Sequence, residues 1–293
     1  MVNRENSNRI AISGVTGFIG RKLKSFLEHN GYEVVSLTRK VLGYSVDKLA
    51  NELEECEIII NLAGASIGKR WTDNYKKEIL NSRIEITQKI VSAMHLMPVK
   101  PGLFISASAV GIYDSFEVHD EFSTNYSNDF LSEVCQKWES EAYGVQSIAG
   151  VRLCIVRLGV VLGAEGGAFT ELVKPFRFGL GAVLGDGHQV FPFIHIKDVL
   201  SGMWYLLKRE ASGGIYNFVA PQMISNQELC DALASKTGKQ VKMKVSEWLL
   251  KKLVGEGAAM LLSGQKVLPN RMLKDDFHFA FPSIESVLDD LIK

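Results

Sequence analysis

The chain has 293 residues, 46% hydrophobic and 23% charged, with 33 Lys and Arg balanced by 33 Asp and Glu. A neutral chain of ordinary globular composition carries no basic excess for nucleic acid. Its longest apolar zone, residues 151–163, is broken by Arg152 and Arg157, so no membrane-spanning helix is expected.

The four cysteines, Cys56, Cys135, Cys154 and Cys230, lie far apart and read as reduced thiols, with neither metal-ligand nor disulfide spacing. Residues 1–10 are polar and hold no apolar leader, which makes a cytoplasmic location the expectation.

The first half alternates strand and helix signals. A short β-like run, Ile10 to Ser13, leads into a glycine-rich turn and then an amphipathic helix from Arg21 to His29 that stops at Asn30-Gly31. Glu33 to Thr38 reads as a second strand, and the wholly apolar Ile58-Ile59-Ile60 before Asn61 as a buried third. From Thr72 to about Leu96, Tyr75, Ile79, Ser82, Ile86, Ile90 and Ala93 fall on one continuous helical face. Leu103 to Ser106 is a fourth strand, Phe130 to Tyr143 a helix, Val151 to Leu158 a fifth strand and Tyr216 to Val219 a sixth. This order implies an α/β protein with a doubly wound parallel sheet. Residues 165–192, rich in Gly and Phe, break the alternation, and 240–293 read as helices and loops with no strand rhythm.

The turn Ser13-Gly14-Val15-Thr16-Gly17-Phe18-Ile19-Gly20 places three glycines at G-x-x-G-x-x-G between the first strand and the first helix. Glycines there let backbone approach a pyrophosphate, and the helix N-terminus offers it free N–H groups. At the end of the second strand a carboxylate would bond the ribose 2′-OH of NAD, whereas Arg suits a 2′-phosphate. This chain has Thr38-Arg39-Lys40 and no carboxylate, which points to NADP(H), with Arg39 contacting the phosphate and Thr38 adding a hydroxyl. The alternative is a solvated basic pair. Leu62-Ala63-Gly64 closes the third strand with small residues against which the cofactor can lie.

Further segments are specific to a family. They include Asn61-Leu62-Ala63-Gly64-Ala65, Arg70-Trp71-Thr72, Ser82-Arg83-Ile84, Val156-Arg157-Leu158-Gly159-Val160, Phe191-Pro192-Phe193-Ile194-His195 and Tyr216-Asn217-Phe218. Over nearly its whole length the chain resembles the atypical short-chain dehydrogenase/reductases often called the epimerase family. The resemblance implies an NADP-binding Rossmann domain related to nucleotide-sugar epimerases, with a smaller, mainly helical C-terminal lobe. Family members have been labelled sugar epimerases or cell-division inhibitors, and neither label follows from these residues. The expected division is 1–165, with 193–235 returning to it, as the NADP-binding domain, and 166–192 with 236–293 as the lobe.

The expected cofactor-binding set is Gly14, Thr16, Gly17, Phe18, Ile19, Gly20, Thr38, Arg39, Leu62, Ala63, Gly64, Arg83, Ser106, Gly159 and Val160. Relatives generally have Asn where Arg83 stands. A fixed cation there would reach cofactor phosphates or a substrate carboxylate, or else pair with Glu78.

The parent superfamily uses Tyr-x-x-x-Lys on one helix, with Ser on the preceding strand. Only Tyr44 and Lys48 have that spacing here, in the wrong part of the fold. The helix expected to carry the pair reads Glu133-Val134-Cys135-Gln136-Lys137, so the acid/base couple is absent. Ser108 matches the superfamily's catalytic Ser, and Tyr113 is either a second catalytic candidate or a packed turn residue. His195 and Asp198 are either an acid/base dyad or a core His beside a helix cap.

Two functions remain open. One is an NADP(H)-dependent epimerase or oxidoreductase acting on a small polar substrate, free or nucleotide-linked. The other is a catalytically silent NADP(H)-binding regulatory or scaffold protein. The chain sets no oligomeric state, whether monomer or homodimer.

Overall fold

The computed structural model describes residues 8–292. Six strands form one sheet: β1 (Arg9–Ser13), β2 (Glu33–Leu37), β3 (Ile58–Asn61), β4 (Leu103–Ala109), β5 (Arg152–Leu158) and β6 (Gly214–Phe218). Their spatial order is β6-β5-β4-β3-β1-β2, and every neighbouring pair is parallel. The chain winds outward from β1 to β2, then crosses back to β3. The strand order therefore reverses between β1 and β3, and such a reversal opens a crevice at the C-terminal strand ends.

Alternation along the strands explains the two layers. Ile10, Ile12, Ile60, Ile105 and Val156 face one side, packing on Leu23, Leu27, Val199 and Met203. Ala11, Ile59, Phe104 and Ile155 face the other, packing on Leu49, Leu53, Ile90 and Met94. Each fully buried Ile or Leu contributes about 1.5–3 kcal/mol relative to exposure.

The helices that matter for the site are α1 (Phe18–His29), α2 (Asp73–Leu96), α3 (Phe130–Tyr143), α4 (Ala168–Arg177), α5 (Ile196–Lys208), α6 (Asn226–Thr237) and α7 (Ile284–Leu291). Thr72 caps α2 by accepting from Tyr75 N–H at 3.2 Å, and Asp129 caps α3 by accepting from Ser132 N–H at 2.9 Å. Ser225 and Glu228 close α6 with a reciprocal capping box.

Two expectations are corrected. Helix α1 begins at Phe18 rather than Arg21, directly on the glycine turn. Residues 240–293 do hold strands: Val241–Val245 runs parallel to Gly181–Leu184, and Lys266–Val267 parallel to Val118–His119. Each is a two-stranded pairing outside the main sheet, too short to set a rhythm. The first joins 166–192 to the C-terminal segment. Around it, Phe169 and Val173 of α4, Leu229 and Leu233 of α6, and Val287 and Leu288 of α7 share one buried cluster with Leu162 and Phe193.

Candidate functional site

At the strand reversal the glycines are forced by close backbone approach. Gly14 has φ +73°, and a Cβ on it would lie 2.5 Å from the Leu62 carbonyl oxygen. A Cβ on Gly20 would overlap the Gly14 carbonyl, and Gly17 N–H donates to that carbonyl at 2.9 Å. Buried Ser13 binds the turn to the next loop: its hydroxyl accepts from Leu62 N–H at 3.1 Å and Ala63 N–H at 3.2 Å, and donates to Asn61 Oδ1 at 2.6 Å. Asn61 Nδ2 donates to Thr87 Oγ1 at 2.7 Å, and Thr87 donates to the Arg83 carbonyl at 2.7 Å, fastening both strand ends to α2. The N-cap of helix α1 is Gly17, which offers no side-chain cap, and the first turn holds no acidic residue. Its leading N–H groups and positive dipole end suit an anion.

Beside this turn a groove is lined by Val15, Thr16, Arg21, Lys24, Ser36 and Thr38. Thr38 caps the short helix Arg39–Leu42 by accepting from Val41 N–H at 3.4 Å. Arg39 is exposed, and among the described residues it has no ion-pair partner. Two cations here went unnoticed in the sequence. Arg21 donates to the Thr16 carbonyl at 2.7 Å, and Lys24 to Ser36 Oγ at 3.1 Å. Their legible signal was position: one turn of α1 beyond the glycines, on the side facing β2.

Ser106 and Ser108 lie buried on β4. The face of α3 turned toward Ser108 carries Cys135 and Glu139, spaced i, i+4. Ser108 Oγ donates to Glu139 Oε1 at 2.6 Å, and burial, with Glu139 adding to it, pushes the Cys135 thiol up to about 12. Lys137, the lysine of the helix expected to carry the pair, points outward and donates to Glu133 at 2.6 Å. The reason is helical phase: the buried stripe of α3 is Ser132, Val134, Cys135, Trp138, Glu139 and Ala142. The spacing of the Tyr–Lys pair is thus kept with different residues.

Glu139 is also held from β5. Arg157 donates Nε to Oε1 at 2.8 Å and Nη2 to Oε2 at 2.7 Å, a fully buried bidentate pair. Arg157 Nη1 reaches Tyr113 Oη at 2.7 Å, and that oxygen lies 3.0 Å from Asn217 Oδ1 and 2.9 Å from the Asp120 carbonyl. Tyr113 has no exposed surface and stacks on His119 at 4.8 Å. Burial pushes its hydroxyl up to about 12. Its geometry is that of a packed turn residue committed to this network.

Of the remaining expected residues, Gly159 and Val160 fall at strand ends, and Phe18 and Arg83 lie on helices α1 and α2. Gly159 N–H donates to the Phe218 carbonyl at 3.0 Å and Val160 N–H to the Pro192 carbonyl at 2.7 Å; a Cβ on Gly159 would lie 2.7 Å from that same oxygen. Phe18 turns its ring away from the turn and onto Gly163, Gly166 and Gly167. Arg83 lies beneath Gly64 and forms no ion pair with Glu78.

The His195–Asp198 dyad is not assembled, and the expected cap is reversed. His195 Nδ1 caps α5 by accepting from Lys197 N–H at 3.1 Å. Asp198 instead accepts from Ala280 N–H at 2.9 Å and Phe281 N–H at 3.0 Å, pinning the C-terminal segment. Among the described residues no helix is long and apolar enough to cross a membrane, and no cluster of His, Cys, Asp and Glu is placed to hold a metal.

A parallel sheet reversing at a glycine turn, with Ser on β4 and a paired helix opposite it, defines a dinucleotide-fold protein of the epimerase type. The chain belongs to the NAD dependent epimerase/dehydratase family, whose model it matches over residues 10–218, while 245–291 match a domain of unknown function, DUF1731. It is 34% identical to the human "Epimerase family protein SDR39U1", over 97% of this chain and 99% of that one. It is 33% identical to the Arabidopsis thaliana "Epimerase family protein SDR39U1 homolog, chloroplastic", over 97% of this chain and 87% of that one. The crystal structure of the human protein (isoform 2) with NADPH superposes at a TM-score of 0.89 and 33% identity, covering 97% of this chain and 99% of that chain.

Proposed function

We propose that this chain binds NADP(H) in the crevice between β1 and β3 and acts on a small polar substrate, free or nucleotide-linked, as an epimerase or oxidoreductase. The observation that carries the reading is the uncapped first turn of α1 behind Gly14, Gly17 and Gly20, where backbone amides stand free for a pyrophosphate. The NADPH held by the human relative supports the same choice, as do Thr38 and the unpaired Arg39 beside the groove. The cofactor, when bound, supplies hydride chemistry.

The chain's own residues bind and orient. Leu62, Ala63 and Gly64 form one wall, and Ser106, Gly159 and Val160 bound the far end. The lobe made by 166–192 and 236–293 is proposed to cover the substrate. Ser108 donates its hydroxyl hydrogen bond to Glu139, so its oxygen is left to accept one from a substrate hydroxyl. Tyr113 serves as scaffold rather than acid or base.

A second reading, a catalytically silent NADP(H)-binding scaffold, is favoured by one observation: Cys135 and Glu139 occupy the face that carries Tyr and Lys in the superfamily. Purified protein charged with NADPH and offered carbonyl substrates, or charged with NADP+ and offered nucleotide sugars, separates the two. Net NADPH oxidation in the first arm or formation of an epimer in the second, lost in Ser108→Ala, is the outcome expected of the enzyme. Tight binding without turnover on any substrate would favour the scaffold.

A further inference from the structure

We propose that Arg83 and Trp138 together seat an anionic group, a carboxylate or phosphate, presented by a ligand lying against the Ala63-Gly64 turn. This rests on the reading of the crevice as a cofactor and substrate site.

The placement starts with Gly64. A Cβ there would lie 2.8 Å from Arg83 Cζ, 3.0 Å from Nη2 and 3.1 Å from Nε. Only a glycine lets the guanidinium lie directly beneath the turn. Arg83 Nη1 donates to the Ile79 carbonyl one turn back at 3.0 Å, and among the described residues no other carbonyl and no carboxylate takes its remaining donors. The buried acidic side chain of α3, Glu139, is already committed to Arg157 and Ser108. Burial weakens the hold of the Arg83 guanidinium on its proton, offset only in part by Cys135 and Tyr75 and by no carboxylate.

Trp138 supplies the second observation. Its ring lies under the guanidinium, 5.2 Å from Cζ to centroid. It is 6% exposed, and its indole N–H is buried without an acceptor. Buried donors are almost always paired, and a desolvated cation without a counter-charge is costly. A neutral carbonyl would satisfy the indole but leave the charge. An anion within reach of both donors would satisfy both.

The turn itself cannot do this. Leu62 N–H and Ala63 N–H are taken by Ser13, and Ala65 N–H by Ser82 at 2.9 Å. The pyrophosphate has its own seat on α1, so Arg83 is left over for a different negative group. The geometry thus favours an acidic substrate, with a cofactor phosphate as the other source of the same chemistry.

The test follows the Trp138 indole N–H resonance by nitrogen-15 NMR, assigned with Trp138→Phe. Inorganic phosphate and malonate are titrated into free protein and into protein saturated with NADP+. An acidic-substrate seat predicts a saturable shift in the NADP+-loaded protein. That affinity falls at least about tenfold in Arg83→Gln, while NADP+ affinity stays within about threefold. Arg83→Lys, which keeps the charge but loses the planar fork, should fall between. If NADP+ alone moves the resonance and Arg83→Gln weakens NADP+ about tenfold or more, the seated anion is the cofactor's. No shift with phosphate, malonate or NADP+ overturns the proposal and leaves Arg83 a packing residue. Failure of the wild type to bind NADP+ would instead sink the cofactor reading, while the titration of free protein still reads this site. Matching circular dichroism spectra for the variants guard against misfolding.

Discussion

At the scale of single residues, the crevice depends on groups whose replacement has a calculable consequence. Gly14 combines a left-handed backbone with a 2.5 Å approach to Leu62, so Gly14→Ala suffers both strain and collision. We expect a loss of at least about 1–3 kcal/mol in urea unfolding, with NADPH affinity falling alongside it. Arg39 differs, because it is exposed and its replacement leaves the fold untouched. Arg39→Ala should weaken NADPH by roughly 1.5–3 kcal/mol, the value of a charge-assisted hydrogen bond, and NADH hardly at all. Calorimetric titration with both cofactors checks this, and equal wild-type affinity for the two would remove the argument for the 2′-phosphate. Both residues were legible in the sequence because each works through backbone freedom or fixed charge at a set distance from a strand. Arg83 was legible as a cation but not as an unpaired one. Its isolation depends on Glu139 being turned toward Arg157, which spacing alone does not reveal.

At the scale of elements, α3 shows where sequence reading stops. Its boundaries and buried stripe follow from Phe130, Val134, Trp138 and the Asp129 cap. Which part of that stripe meets Ser108 depends on how α3 packs on β4, a long-range matter. Hence the sequence draws attention to Lys137, while the role of Glu139 depends on the packing. The Glu139–Arg157 pair is fully buried, and removing one partner strands a charge. Glu139→Gln should therefore cost about 3–5 kcal/mol in denaturant unfolding, and the double change Glu139→Met with Arg157→Met markedly less.

Helix α5 makes a pH prediction. His195 caps it through Nδ1, packs on the Phe281 ring at 3.9 Å and lies 3.3 Å from the Asp290 carboxylate, with Lys197 also near. Burial outweighs Asp290 and lowers the imidazole to about 4. Unfolded, the same group takes its proton near 6.5, so the unfolded chain binds more protons between these values. The stability contributed by neutral His195 is whole above about pH 6.5 and drains away as pH falls toward 4. Melting temperatures measured across that window should drop in the wild type and drop less in His195→Asn, which caps without titrating.

At the scale of the whole molecule, the sheet and the lobe were unequally legible. The sheet is built from apolar runs of fixed period, each readable by itself. The two stretches expected to form the lobe lie far apart in the chain and are joined by the strand pair Gly181–Leu184 and Val241–Val245. Neither strand has a partner within its own segment, so neither signals itself. This interleaving also bears on how the molecule unfolds. Leu162, Phe193 and Leu229, outside the stretches expected to form the lobe, share a buried cluster with Phe169 and Leu288 inside them, and Asp198 of α5 holds the amides of Ala280 and Phe281. The lobe has no core that excludes residues leading into the sheet. We therefore expect one cooperative thermal transition, with calorimetric and van't Hoff enthalpies equal. Leu288→Ala removes a side chain with no exposed surface from the shared cluster. It should cost roughly 2–5 kcal/mol and lower that single transition without splitting it. Saturating NADPH should raise the midpoint of wild type and variant alike, because the crevice and the lobe melt together. Two resolved transitions, only the lower one moved by Leu288→Ala, would mean that the lobe folds apart from the sheet it covers.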